Sequence, residues 1–120
     1  MSAARPLPND ERDDVWKALA DPTRRALLDA LRVGPQTTGA LCAHFDMTRF
    51  GVMKHLRSLE EAGLVLVERR GRERWNHLNP APIQALHRRW IRPFEELSVD
   101  RALRLKAVAE RGSLTRPRGR

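Results

Sequence analysis

The sequence predicts a mainly α-helical domain that carries a two-stranded β-hairpin. Three observations predict it. Apolar residues recur at helical spacing from Val15 to Leu59. The pattern changes to that of short strands between Leu64 and Leu78, around a glycine at position 71. Helical spacing then resumes from Ala81.

Each element has its own local cause. Residues 1–10 hold Pro6, Pro8 and Asn9 and are expected to form a flexible lead. Val15, Trp16, Ala18 and Leu19 make the apolar stripe of a first helix. Asp21-Pro22 opens a second: Asp is a good N-cap, and Pro is preorganised for the first helical position. That helix should run to about Arg32, burying Ala26, Leu27, Ala30 and Leu31, and stop at Gly34-Pro35. Thr37 is the N-cap expected for a short helix over 38–45, with Leu41 and Phe45 inward. Asp46 stands where a tight turn favours glycine, and Asp tolerates the left-handed region better than most residues. Thr48 caps the next helix, which should bury Val52, Leu56 and Leu59 and end at Gly63. Strands are expected over 64–70 and 73–78, joined at Arg70-Gly71-Arg72 with Gly71 supplying a positive φ. From Ala81 a long helix carries Ile83, Leu86, Trp90, Ile91 and Phe94, kinked or interrupted by Pro93. The helical pattern continues through Leu97, Leu103, Leu105 and Val108.

A chain of 120 residues suggests one compact domain, expected over 11–110. Lys and Arg number 23 against 15 Asp and Glu, a net charge of +8. That excess on a small domain is the electrostatic footprint expected of a nucleic-acid binder, though it also suits anionic membranes and acidic partners. Arg111, Arg116, Arg118 and Arg120, with Gly112, Pro117 and Gly119 among them, give 111–120 the composition of a disordered basic tail. No stretch approaches the ~18 apolar residues of a membrane span, and the start of the chain has no signal-peptide pattern, so a cytoplasmic protein is expected. A single cysteine, Cys42, excludes an intrachain disulfide and a cysteine-rich metal cage.

Taken in order, these elements make a winged helix-turn-helix. The N-terminal part of such a fold's second helix enters the major groove. Here that part offers Arg49, Phe50, Gly51, Lys54 and His55 as outward positions, with Arg57 a turn further on. Arg49 is suited to guanine O6 and N7, and Phe50 to a thymine methyl. Thr48 can cap the helix and donate to a phosphate. Gly51 lowers helix propensity, which hints at close backbone approach. The hairpin clusters Arg69, Arg70, Arg72 and Arg74 against Glu68 and Glu73, a composition suited to phosphate or minor-groove contact. The expected DNA contacts are thus Thr37, Thr48, Arg49, Phe50, Gly51, Lys54, His55, Arg57, Arg70, Arg72 and Arg74.

The run from Thr48 to Val65 (TRFGVMKHLRSLEEAGLV) resembles the recognition-helix pattern of the ArsR family of repressors. Ala18 to Arg25 (ALADPTRR) resembles the opening of that family's second helix, and Arg70-Gly71-Arg72 with Leu78 resembles its wing. The likeness covers roughly Val15 to Leu78, and more loosely the last helix. It implies a homodimer joined by its first and last helices, binding a palindromic operator and repressing transcription. Trp16, Leu19, Leu86, Trp90 and Phe94 are the interface residues expected, and aromatics of this kind are enriched at interfaces. Surplus apolar bulk on the last helix would also suit an apolar small-molecule effector between the last helices of the dimer.

The family's metal sensors carry paired cysteines around the short helix, or a His/Asp set on the last one. Thr37 and Gly39 stand at the positions of that cysteine pair, and Cys42 matches at most a third. Cys42 and His44 are two apart and do not share a helix face. The last helix offers only His87. No metal site and no cofactor are therefore expected, with a metal- or redox-responsive repressor using Cys42 as the alternative, and a nonspecific architectural DNA-binding protein as another. Catalysis is not expected: Cys42 and His44 are the only nucleophile and base near each other, and no glycine-rich phosphate loop is present.

Overall fold

The computed structural model describes residues 13–115, with side chains through Gly112. The lead over 1–10 and the last residues, 116–120, lie outside the described residues. The described chain divides into two units, one ending at Leu86 and the other beginning at His87, so the single domain expected over 11–110 is divided at that point.

In the first unit, α1 (Asp13–Leu19) buries Val15 and Ala18. Its last carbonyls are not left orphaned. Arg24 donates from Nε to Ala18 O at 3.0 Å and from Nη2 to Lys17 O at 2.9 Å, and Arg25 donates to Leu19 O at 2.8 Å. These two arginines belong to α2 (Pro22–Arg32), whose N-cap Asp21 accepts the Arg24 N–H at 2.9 Å. Helix α2 buries Leu27, Leu28 and Leu31, while Ala26, expected inward, is exposed. Burying Leu28 in place of Ala26 removes more apolar surface from water.

Strand β1 (Gln36–Thr37) leads into α3 (Thr38–His44), capped by the Thr37 hydroxyl accepting from Ala40 N–H. Phe45 is already extended, and Met47 N–H donates to Phe45 O at 2.8 Å, closing a tight turn. Among the described residues none but glycine has positive φ, so Asp46 is not in the left-handed region expected for it. Helix α4 (Arg49–Glu61) starts with the Thr48 hydroxyl accepting from Gly51 N–H at 3.0 Å. It ends at Gly63, with φ of 78°. Leu64 N–H reaches back to Leu59 O and Gly63 N–H to Glu60 O, each at 2.9 Å, the paired bonds of a Schellman stop.

Strands β2 (Val65–Arg70) and β3 (Glu73–Leu78) form the expected hairpin, with Gly71 at φ of 61° in the turn. The sheet has three strands rather than two, in the antiparallel order β1-β3-β2. Asn76 explains the third. It is fully buried in β3 and donates to Gln36 O at 3.2 Å and to Thr38 Oγ1 at 3.1 Å. Two residues are too few to show an alternating pattern, so β1 leaves no periodic trace in the sequence. Helix α5 (Ala81–Leu86) completes the unit. The core is built by Val15, Leu27, Leu31, Leu41, Val52, Leu56, Leu59, Leu64, Val65 and Leu86.

The second unit replaces the long helix expected from Ala81. A π-helical turn (His87–Ile91) precedes α6 (Arg92–Glu95). Pro93 cannot donate to the Arg89 carbonyl, and its ring crowds that turn. A widened helical turn just before it is one way to absorb the lost bond. Helix α7 (Asp100–Thr115) extends into the segment expected as a disordered tail from 111. Phe94, Leu97, Val99, Leu103, Leu105 and Val108 are all exposed.

Candidate nucleic-acid interface

Two opposite faces organise α4. Val52, Leu56 and Leu59 repeat at i, i+4 and i+7 and are buried. Phe50, Lys54 and Arg57 repeat at the same spacing two residues earlier, about 200° round the helix, and all three are exposed. The packing that buries one stripe therefore presents the other to solvent. Arg49 is also exposed beside this ridge, and Phe50 is 77% exposed. No carboxylate lies within ion-pair distance of Arg49, Lys54 or Arg57 among the described residues.

His55 departs from expectation. It lies three residues after Val52, hence next to the core stripe, and its side chain is only 21% exposed. Its Nδ1 sits 3.8 Å from Asp21 Oδ2, at the start of α2. The Asp21 carboxyl is held below its ordinary pKa, first by the backbone N–H of Arg24 and then by the nearby His55 against an opposing desolvation. His55 thus faces the α2 cap rather than solvent. Gly51 has side chains of its own helix start close by. A Cβ there would meet Met47 Cε at 3.0 Å and Thr48 Oγ1 at 3.3 Å, so the neighbour is the chain itself. Thr48 and Thr37 each accept one cap bond on the hydroxyl oxygen, which leaves the hydroxyl proton to give.

The wing arginines sort into two kinds. Arg70 donates to Glu68 at 2.9 Å and lies over the Trp75 ring, 4.7 Å from its centroid. Arg74 donates to Glu60 of α4 at 2.8 Å. Glu68 also meets His77 Nε2 at 2.9 Å. These contacts, Arg70 first and His77 second, hold the Glu68 carboxyl below its ordinary pKa. Arg69 and Arg72 are exposed with no ion-pair partner among the described residues. Sequence reasoning set Glu68 and Glu73 against the wing arginines but missed Glu60, which neutralises Arg74, and the Trp75 ring under Arg70. Glu60 carried no local signal, because it stands 14 positions from its partner. The Glu68/Arg70 pair, two apart on one strand face, was legible in principle.

Of the expected interface residues, Leu86 is only 3% exposed and belongs to the chain's own core, and Leu19 packs partly against that core. The fold uses both to close the first unit. Trp16, Trp90 and Phe94 are exposed, and Arg89 stacks 4.2 Å from the Trp90 centroid. Cys42 is half-buried and packs against the core, while His44 is exposed. Among the described residues no three His, Cys, Asp or Glu side chains gather as a metal site would require, and no helix is long and apolar enough to cross a membrane.

Comparison with known proteins bears on this geometry. A family model described as a helix-turn-helix domain matches residues 19–68, from the end of α1 into the wing. The transcriptional repressor SdpR of Bacillus subtilis is 35% identical over 72 residues, spanning 60% of this chain and 80% of SdpR. The HTH-type transcriptional regulator Rv2034 of Mycobacterium tuberculosis is 39% identical over 74 residues, 62% of this chain and 69% of its own. A crystal structure of an ArsR family transcriptional regulator superposes with a TM-score of 0.67 at 36% identity, covering 72% of this chain and 94% of that one. The chain belongs to the ArsR family of winged helix-turn-helix transcriptional regulators.

Proposed function

We propose that this regulator is a repressor that binds a palindromic operator as a homodimer, placing α4 in the major groove and the wing on the flanking backbone. The observation that carries the reading is the exposed ridge of α4, where Phe50 stands among Arg49, Lys54 and Arg57 with their charges unspent. Arg49 reads a guanine edge; Lys54 and Arg57 meet bases or phosphates further along the groove. Arg69 and Arg72 supply the wing's phosphate contacts, with Thr48 and Thr37 as hydroxyl donors. Repression is supported by the likeness to a transcriptional repressor, SdpR. A homodimer is supported by exposed apolar side chains on α6 and α7, and twofold symmetry would set two copies of α4 about 34 Å apart, one turn of DNA.

The test is a fluorescence-anisotropy titration of the full chain at about 0.15 M salt. It compares DNA from upstream of the protein's own gene, and a duplex selected from a random pool, with shuffled duplexes of equal length. Preference for the native or selected duplex is expected. Equal, weak and steeply salt-dependent affinity for all of them would favour a nonspecific architectural role instead.

A further inference from the structure

Phe50 is the most conspicuous apolar group on the α4 ridge. At 77% exposure its ring gains almost nothing from the fold, and it stands on the same stripe as Lys54 and Arg57 with Arg49 beside it. Cations alone would serve a phosphate backbone. A ring held in water among them fits a surface that is anionic overall and offers an apolar group within a helical turn. The major groove of duplex DNA is such a surface, and the apolar group it offers on a base edge is the thymine C5-methyl. The minor groove shows no methyl group, and phosphates show none either.

We propose that Phe50 is a specificity-determining residue that packs on a thymine C5-methyl in each operator half-site, next to the base that Arg49 reads. The inference rests on the reading of α4 as the base-contacting helix. It names the chemical group recognised: the methyl, not the hydrogen-bonding edge of the base. Recognition of this kind ignores the hydrogen-bond acceptors, guanine O6 and N7, that Arg49 uses, so the two neighbouring residues read independent features of the groove. Because Phe50 makes no contribution to the buried core, its replacement leaves the fold in place.

Deoxyuridine isolates the contact. It pairs as thymine does and lacks only the methyl. The full chain selects duplexes from a random pool, and each thymine of the selected duplex is then replaced singly by deoxyuridine. For the wild-type protein, one position in each half-site should weaken binding about fourfold, the change that one buried methyl group carries. Phe50→Ala should bind the parent duplex more weakly and be indifferent to deoxyuridine at that position. Phe50→Leu, still apolar, should keep part of the sensitivity. The proposal is overturned if no deoxyuridine position affects wild-type binding, or if Phe50→Ala keeps the full sensitivity. If the wild-type protein enriches no sequence at all, base reading by α4 falls and this proposal with it; enrichment without methyl dependence overturns the role of Phe50 alone.

Discussion

Glu60, near the end of α4, accepts a hydrogen bond at 2.8 Å from Arg74 in β3, tying the proposed reading helix to the wing. The sheet register gives the bond a second purpose. Arg69 and Arg74 stand directly opposite each other across the hairpin, an arrangement that is repulsive in itself. Glu60 neutralises one of the two and leaves the other exposed. Removing Glu60 should therefore cost more than a surface pair normally would, because it restores the repulsion. The bond is partly exposed, so screening limits it. Glu60→Ala should lose about 1 kcal/mol, and Arg74→Ala, which removes the repulsion together with the bond, should lose less, with a coupling of about half a kcal/mol or more in a double-mutant cycle measured by urea denaturation. Strict additivity of the two changes would show that the contact carries no stability.

Arg49 and Arg72 should fail in different ways. Arg49→Ala should cost about 1–3 kcal/mol on the selected duplex and flatten preference at one base position. Arg72→Ala should weaken binding to every duplex alike and lower the salt slope by about one per contacting wing. Arg74→Ala should leave that slope nearly unchanged, since its charge is already met by Glu60. Anisotropy titrations across a salt series separate the three, and a loss of slope in Arg74→Ala equal to that in Arg72→Ala would contradict the sorting of the wing arginines.

The order of helices and the place of the wing were legible in the sequence because each boundary has a local chemical cause. Asp21, Thr37 and Thr48 cap as read, and Gly63 and Gly71 adopt the positive φ expected of them. What escaped was set by partners distant along the chain. Strand β1 exists because Asn76 holds it from 40 residues away, as the Gln36 bond records. His55 turns toward Asp21, and Arg74 toward Glu60, through packing that no local pattern encodes. Periodicity alone put Arg49, Phe50 and Lys54 on the outer side of α4, where they are exposed, yet it put His55 there too and could not say which wing arginines keep their charge free.

Asp21 should make stability sensitive to acid. Its folded pKa is lowered, chiefly by the Arg24 backbone N–H. A depressed carboxylate contributes stability that is present above the unfolded pKa and lost as pH falls through the folded value. Glu68, lowered first by Arg70 and then by His77, acts in the same direction. Urea midpoints should thus fall as pH drops below ~4, where unfolded carboxylates protonate. Asp21→Asn keeps an N-cap side chain while removing the titration. It should be less stable than wild type near neutrality, and the gap should narrow in acid. A gap that stays constant with pH would assign the loss to the cap geometry alone.

Asn76→Ala should loosen the third strand. It removes two donated bonds and leaves Gln36 O and Thr38 Oγ1 without that partner. A fully buried site makes such a loss costly, about 1–3 kcal/mol. Hydrogen exchange should show protection falling at Gln36 and Thr37, while β2 and β3 stay paired. Uniform loss across all three strands would mean that Asn76 supports the whole sheet rather than β1.

The proposed dimer can be tested on the second unit without disturbing the core of the first. Phe94 is 60% exposed and Leu97 64%, and neither belongs to the buried cluster. Exposed apolar residues in such number on one short stretch call for a covering surface. A second copy of the chain supplies one, and a charge on each side of a twofold contact would face its own symmetry mate. Phe94→Glu and Leu97→Glu should therefore shift the sedimenting species toward the 13.8 kDa chain while keeping the urea midpoint of the first unit. Operator affinity should fall about a hundredfold or more, because the second half-site is no longer engaged by a linked partner. Variants that remain dimeric and bind as wild type would place the contact elsewhere, with exposed Trp16 on α1 as the next residue to change.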